Sequence, residues 1–507
     1  MDSEQSSTTK KITTFGLVTM IITTVFGFGN VSNAFEQLGY ASIIWYLLSG
    51  ICFFFPCGLM MAEYGSAFKE AKGGIYSWLA GSIGERLAFI GTFVWLASWV
   101  IWMVSTSSRI WITFSAFIFG KDTTQSWRFL GLTSTQFIGV LGIILILAVT
   151  FFSSRGIKGI AKVGSLGGIL TIAMNFVFII VSLIVIIANK GALAQPIQGA
   201  KSFIVSPNPQ FQTPIAIISF VVYAIFAYGG MESLGGVTDS MEKPEKTFPR
   251  GLIIASIFVI LSYVIMIFMV GFSVNYKRDI AGGNVNLGNI TYAVFNLTGV
   301  AMGKALGWSA AATHGMGVLM TRFVAFAQLL GFSGALFVLI YSPIKSFIEG
   351  SNPKLWPKYM TKLNKHGMPA HAMWIQAIVV CLIIFSVAFG GSAAKRFYQI
   401  LTDMANVSTC FPYIFLIGAF PFFKKKDIER PFEVFHNRFW TDVLVVFVEA
   451  ILIIGIVFTC VQPILQGDWQ TAIWTIAGPV VFAIVALIFY QISAKKNGVK
   501  DSDYNLH

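Results

Sequence analysis

The chain has 507 residues, of which 56% are hydrophobic and 11% charged, with a mean hydropathy of +0.75. A soluble domain carries about 25% charged residues, so a water-facing fold is excluded, and a bilayer is the solvent that accepts this much apolar surface. The formal charge of +13 does not mark a nucleic-acid binder, because the basic residues fall in short runs between apolar stretches, such as Lys424-Lys425-Lys426, with no basic domain or arm.

The N-terminus runs polar from Asp2 to Lys11 and then enters an apolar segment too long for a signal-peptide core. No small-residue cleavage site follows it, so the first helix is expected to stay. Apolar runs near the length that spans hydrocarbon are read at roughly 13–36, 41–66, 86–118, 131–153, 163–188 and 213–238. Six more follow at roughly 251–274, 315–343, 370–389, 397–422, 440–463 and 472–493. This predicts an all-α polytopic membrane protein of about twelve spans. The third is long enough to tilt strongly or to project beyond the membrane. Ile290 to Leu306 reads as a short helix packed over the outer face. Residues 344–369, rich in breakers such as Pro353, Pro357 and Pro369, read as a cytoplasmic loop lying against the bundle.

With both termini inside, the cytoplasmic segments hold 24 Lys and Arg and the outer loops 9. That bias is what the positive-inside rule expects of an even-numbered bundle. Five cysteines all lie in apolar stretches, with no metal or disulfide spacing. The five histidines (His314, His366, His371, His436, His507) are scattered along loops and ends, so no convergent set for a membrane enzyme emerges. No Walker-type phosphate loop is present, and no cofactor is implied. A channel would need a ring of pore carboxylates or a carbonyl filter, and neither is visible.

Two spans contain breakers where a plain anchor would not. The first reads Thr23-Thr24-Val25-Phe26-Gly27-Phe28-Gly29-Asn30, the sixth Phe226-Ala227-Tyr228-Gly229-Gly230-Met231-Glu232-Ser233. Paired glycines at mid-span free backbone N–H and C=O groups, which hydrocarbon tolerates only where protein or a wet cavity satisfies them. One alternative is that the glycines merely allow tight helix packing. Their matching positions in two five-helix halves fit an inverted-repeat transporter whose half-helix ends face a central substrate.

The chain resembles permeases of the amino acid–polyamine–organocation superfamily, near the glutamate/γ-aminobutyrate antiporter branch. Gly27-Phe28-Gly29 stands where that family has a Gly-Ser-Gly type motif. Ala62-Glu63 followed by Lys72-Gly73-Gly74-Ile75-Tyr76-Ser77-Trp78 is similar to its Gly-Gly-x-Tyr/Phe loop. Gly230-Met231-Glu232 followed by Glu242-Lys243-Pro244-Glu245-Lys246-Thr247-Phe248-Pro249-Arg250 is similar to its Glu-x-x-Asn-Pro…Pro-Arg segment, and His366-Gly367-Met368-Pro369 to its Gly-x-Pro. The resemblance covers essentially the whole chain. It implies a LeuT-like core of five plus five helices in inverted repeat, with helices one and six broken, two extra C-terminal helices, and alternating access without ATP. The divisions expected are a cytoplasmic tail (1–12), a first repeat (13–188), an outer loop (189–212), a second repeat (213–422), a basic cytoplasmic loop (423–439), the last two helices (440–493) and a second cytoplasmic tail (494–507).

Candidate site residues follow. The backbone of Gly27, Phe28 and Gly29 is expected to meet a substrate α-carboxylate, because a half-helix N-terminus concentrates N–H donors and positive dipole. Phe28 departs from the small polar residue of the family motif. The resemblance places Thr24 in the same cavity, Ser98 and Trp102 on the face of helix three toward the substrate, and Phe226 as an aromatic gate. Ser98 and Trp102 are one turn apart and share that face; an interfacial or packing role is the alternative for Trp102. Carbonyls around Phe226 and Ala227 are expected to meet the amine. Glu232, a carboxyl beside a helix break in a bilayer, is a candidate proton-coupling group or counter-ion. Ser98, Trp102, Phe226 and Ala335 would wall the side-chain pocket. Arg109 and Arg322 lie toward the outer ends of their helices, where they either snorkel to headgroups or line an outer vestibule. Glu63 is expected to pair with the loop that follows it. The expected function is secondary transport of an amino acid or its amine, as an exchanger or a proton-coupled symporter. The uncharged pocket favours neutral or zwitterionic substrates and the arginines favour acids; coupling ion and oligomeric state are left open.

The charge bias yields a first prediction. A periplasm-active reporter fused after Lys496 is expected to be silent and a cytoplasm-active one bright; the reverse result would invert the topology.

Overall fold

The computed structural model describes residues 12–499 apart from 69–73, 157–159, 235–240, 242, 283–284 and 392, with the side chains of 160–165 also outside the description. Of the tails expected at 1–12 and 494–507, residues 1–11 and 500–507 therefore lie outside the described residues, as do Lys72-Gly73 and Glu242 of the family-like motifs. The described chain is helical, with two isolated β-bridges and no strands. Eleven helices are long and apolar enough to cross a membrane, and a bent pair, Thr14–Val25 and Phe28–Leu38, makes a twelfth.

The second to sixth spans are Ala41–Ala67, Glu85–Phe119, Ser134–Ser154, Ile160–Ala188 and Pro214–Ala227 with its extension to Leu234. The seventh to twelfth are Pro244–Val270, Ala310–Leu339, Ala370–Ala388, Ala394–Gly418, Arg438–Leu465 and Trp469–Asn497. The two five-span halves form the inverted-repeat core with the broken first and sixth spans as counterparts, and two spans follow it. At 35 residues the third span is about 50 Å long, more than hydrocarbon needs. It packs against the eighth, tenth and twelfth, so it is the post around which the bundle is built.

Local chemistry explains most boundaries. Thr133 and Gln136 form a reciprocal capping box that starts the fourth span. Ser309 caps the eighth by accepting from the Ala312 amide at 3.3 Å. The seventh starts at Pro244 rather than near 251, because proline at the first helical turn gives up no needed donor. The sixth, read at 213–238 with a break at its paired glycines, ends its helix at Ala227. Gly230 there has φ +113°, a conformation that only glycine adopts without strain. Ile290–Ala305 is the expected outer helix, and Ser342–Gly350 opens the expected amphipathic loop. Ile75–Ile83 is a further helix, too short to span and buried along nearly all its length.

Glu63 corrects the expectation of a local pairing. It is fully buried at the end of the second span, and its partners come from the loop before the eleventh span. One carboxylate oxygen accepts from the Val434 and Phe435 amides at 2.7 and 2.9 Å, and the other from Lys424 at 2.9 Å. Lys424 also bonds Glu433, and this contact holds the Glu433 carboxyl below the ordinary carboxylate range. A depressed folded-state pKa means this contribution is present above the pH at which free glutamate titrates and is lost as pH falls below it.

Removing Lys424 would leave Glu63 charged and buried, so Lys424→Met is expected to destabilise the protein by about 3–5 kcal/mol. Lys425→Met, at an exposed neighbour, is expected to change little. Denaturant unfolding in detergent, followed by tryptophan fluorescence, compares the two.

Candidate functional site

The first break is built by three residues. The helix ends at Val25, Phe26 and Gly27 are extended, and Phe28 starts a second helix bent by 42° from the first. The first amides of any helix have no intrahelical acceptor. Here the Gly27 amide donates to the Tyr263 hydroxyl at 3.2 Å and the Asn30 amide to the Gly27 carbonyl at 3.0 Å. The amides of Phe28 and Gly29 have no acceptor among the described residues. The Phe28 side chain turns away, packed edge-on against Phe178 and Phe295 at 4.6 and 4.8 Å between ring centres.

The glycines of the two breaks differ in kind. A Cβ on Gly27 or Gly29 would meet nothing closer than 3.6 Å, so helix packing does not require glycine there. At Gly229 a Cβ would fall 3.0 Å from Thr409 and 3.1 Å from the Phe226 carbonyl, and Gly230 needs its positive φ. The sixth-span glycines therefore make the fold possible. Those of the first span leave open space beside two unused N–H groups.

Tyr263, on the seventh span, ties the breaks together. Its hydroxyl accepts from the Gly27 amide and the Asn30 side-chain amide, both at 3.2 Å. It lies 3.0 Å from the Val25 carbonyl and 2.8 Å from the Ala227 carbonyl. A hydroxyl has one proton to donate and two lone pairs, so one side chain serves the unwound backbone of both half-helix pairs. The Ala227 and Phe226 carbonyls expected to meet an amine are thus each partly used, the latter by the Gly229 amide at 2.9 Å.

Glu232 is 4% exposed and takes three donors. One oxygen accepts from the Gly230 amide at 2.9 Å and from the Tyr413 hydroxyl of the tenth span, the other from the Trp95 indole at 3.4 Å. No cation pairs with it among the described residues.

Thr24 is exposed although its methyl lies against Gly230, where a Cβ would be 3.2 Å away. Asn33, Glu36 and Tyr223, toward the opposite end, are buried. Phe226 is half-buried, in ring contact with Tyr223 at 6.3 Å. Ser98 is buried and donates to the Trp95 carbonyl at 2.7 Å, Trp102 meets Trp99 edge-on, and Ala335 is half-buried on the eighth span. Among the described residues no hydrogen bond joins Ser98 or Trp102 to either break.

The two arginines are not brought together. Arg109 lies eleven residues beyond Ser98, about 16 Å along the helix, where it donates to Thr402 of the tenth span. Arg322 is exposed and donates to the Ile118 carbonyl at 3.0 Å. Tyr263, Trp95 and Tyr413 are the site residues that sequence reading missed. A hydroxyl in the apolar run Ile260-Leu261-Ser262-Tyr263-Val264-Ile265 was the available signal for the first.

The sequence matches the amino acid permease family over residues 12–487. It is 46% identical to an inner membrane transporter of Salmonella typhimurium, YjeM, over 96% of each chain. It is 24% identical to the glutamate/gamma-aminobutyrate antiporter of Lactococcus lactis, over 96% of this chain and 92% of that one. Among solved structures it is similar to a manganese transporter of Eremococcus coleocola, with a TM-score of 0.53 at 13% identity over 98% of this chain and 97% of that one. At that identity the likeness is one of fold.

Tyr263→Phe leaves buried polar backbone unpaired, which costs about 1–3 kcal/mol. The variant is expected to lose that much stability and to transport far more slowly. Tyr223→Phe, whose hydroxyl reaches Asn30 only at 3.4 Å, is expected to lose less of both when thermal melts and uptake are compared.

Proposed function

The chain belongs to the amino acid permease family, and from that premise we propose that it moves a neutral or zwitterionic amino acid across the cytoplasmic membrane by alternating access. It works as an exchanger against the corresponding amine or as a proton-coupled symporter, with both termini in the cytoplasm. The repeats at 13–188 and 213–422 are the moving halves.

One observation carries the substrate reading: two unpartnered amides at a helix N-terminus, at Phe28 and Gly29, beside glycines that packing does not require. An α-carboxylate fits such a donor pair without a side-chain cation. The remaining lone pairs of the Ala227 and Phe226 carbonyls suit an ammonium group. Thr24 and Phe226 border this space, and Ser98, Trp102 and Ala335 complete the pocket for the side chain. Nothing charged stands at that level except Glu232. Arg109 is held farther up the third span and Arg322 lies on the outside of the bundle. Arginines so placed act on encounter rate, an effect that salt screens.

Glu232 is the coupling group. Its three donors are neutral, so its protonation changes local charge without breaking an ion pair. A carboxylate only accepts hydrogen bonds, whereas the acid must also donate one. Protonation therefore weakens the bonds from Gly230, Trp95 and Tyr413, which lose a charged acceptor, and turns one oxygen into a donor that needs its own partner.

Counterflow into proteoliposomes, screened with twenty amino acids and common amines, tests the reading. Neutral amino acids are expected to exchange, and Glu232→Gln is expected to insert normally while losing the pH dependence of the rate. If glutamate or aspartate alone exchanges and Arg109→Ala abolishes it, the uncharged-pocket reading fails. If Glu232→Gln follows wild type at every pH, the coupling role fails.

A further inference from the structure

The eleventh span carries a carboxyl that nothing above uses. Glu449 lies eleven residues into Arg438–Leu465, about 16 Å from the nearer helix end. Both its oxygens are buried and neither meets full hydrogen-bond geometry with a described residue; the Gly418 backbone is the one polar group that interacts with them. No salt bridge reaches it there. The tenth span makes room for it: a Cβ on Gly418 would stand 3.2 Å from Oε1.

Its surroundings connect it to Glu232. Cys57 of the second span interacts electrostatically with both carboxyls. The tenth span holds Tyr413 against Glu232 and Gly418 against Glu449, five residues or about 7.5 Å apart along the axis. Beyond Cys57, the sixth and twelfth spans and the turn at Phe420–Phe423 also pack on the eleventh. None of them brings a charged or titratable group that interacts with Glu449.

The two carboxyls have opposite environments. Glu232 sits among three donors, the arrangement a carboxylate accepts. Glu449 has the Gly418 backbone beside it but no side-chain donor and no cation among the described residues, and an ionised side chain buried with so little to compensate it is costly. We propose that Glu449 is a second proton-binding site, which holds a proton in this conformation and exchanges it with the Glu232 carboxylate during transport. When the proton leaves Glu449, its carboxylate forms and that of Glu232 is neutralised, so the pair keeps one proton and one negative charge. The inference rests on Glu232 as the coupling group but not on any particular substrate.

Infrared spectra of the full-length protein in proteoliposomes, titrated with pH and without substrate, test it. Wild type is expected to show the carbonyl stretch of a protonated carboxyl at neutral pH. That component should be lost in Glu449→Gln, return in Glu449→Asp and persist in Glu232→Gln, where the pH at which it fades should move down as a neighbouring negative charge is removed. Gly418→Ala, which presses a methyl toward Oε1, should shift its frequency and serves if Glu449→Gln does not fold. A spectrum unchanged by Glu449→Gln, or by Gly418→Ala where that variant stands in for it, overturns the site. A midpoint unmoved by Glu232→Gln overturns the coupling. A failed counterflow screen beside a positive infrared result would instead fault the substrate reading.

Discussion

Two stretches of unwound backbone lie inside a bundle meant for hydrocarbon, and one hydroxyl answers for both. Where a helix stops in a bilayer, each freed N–H or C=O group costs several kcal/mol unless something satisfies it. Tyr263 stands where the Val25 and Ala227 carbonyls and the Gly27 and Asn30 donors converge. The first and sixth spans are therefore broken together. Because Tyr263 belongs to the seventh span, any relative movement of the two breaks must also move or release that helix.

What Tyr263 does not cover defines the site. It takes up the Gly27 amide and leaves those of Phe28 and Gly29, while the Phe28 ring is drawn off into a cluster with Phe178 and Phe295. Phe28 therefore departs from the usual small residue without filling the cavity. The glycines of the two breaks differ: in the sixth span glycine is imposed by φ and close contacts, whereas in the first an added Cβ would meet only ordinary contacts. Glu232, beside the second break, is tied to the third and tenth spans by Trp95 and Tyr413.

Elements specified by local chemistry were legible from the sequence. Twelve spans, both breaks and the helix at Ile290–Ala305 follow from apolar length and paired glycines, whereas the seventh and eighth spans start several residues before the apolar runs, at Pro244 and Ala310. Elements that depend on distant partners were not. Ile75–Ile83 is too short and too uniformly buried to show a periodic pattern. Glu63 finds its partners some 360 residues away in sequence, at Lys424, Val434 and Phe435. Depth along a helix was readable for Arg109 and Arg322, but direction around it was not. The first turns inward to Thr402 and the second lies exposed against the Ile118 carbonyl. Nothing in the sequence singles out Trp95 among 13 tryptophans, because only the fold brings it to Glu232.

The central claim is that the open amides of the first break receive the carboxylate of an amino acid. The most direct measurement is an experimental structure determined with the exchanged amino acid bound. The expected result places its carboxylate within hydrogen-bond distance of the Phe28 and Gly29 amides, with its ammonium group toward the Phe226 and Ala227 carbonyls. A substrate found elsewhere in the bundle, with those two amides facing protein or lipid, would contradict it.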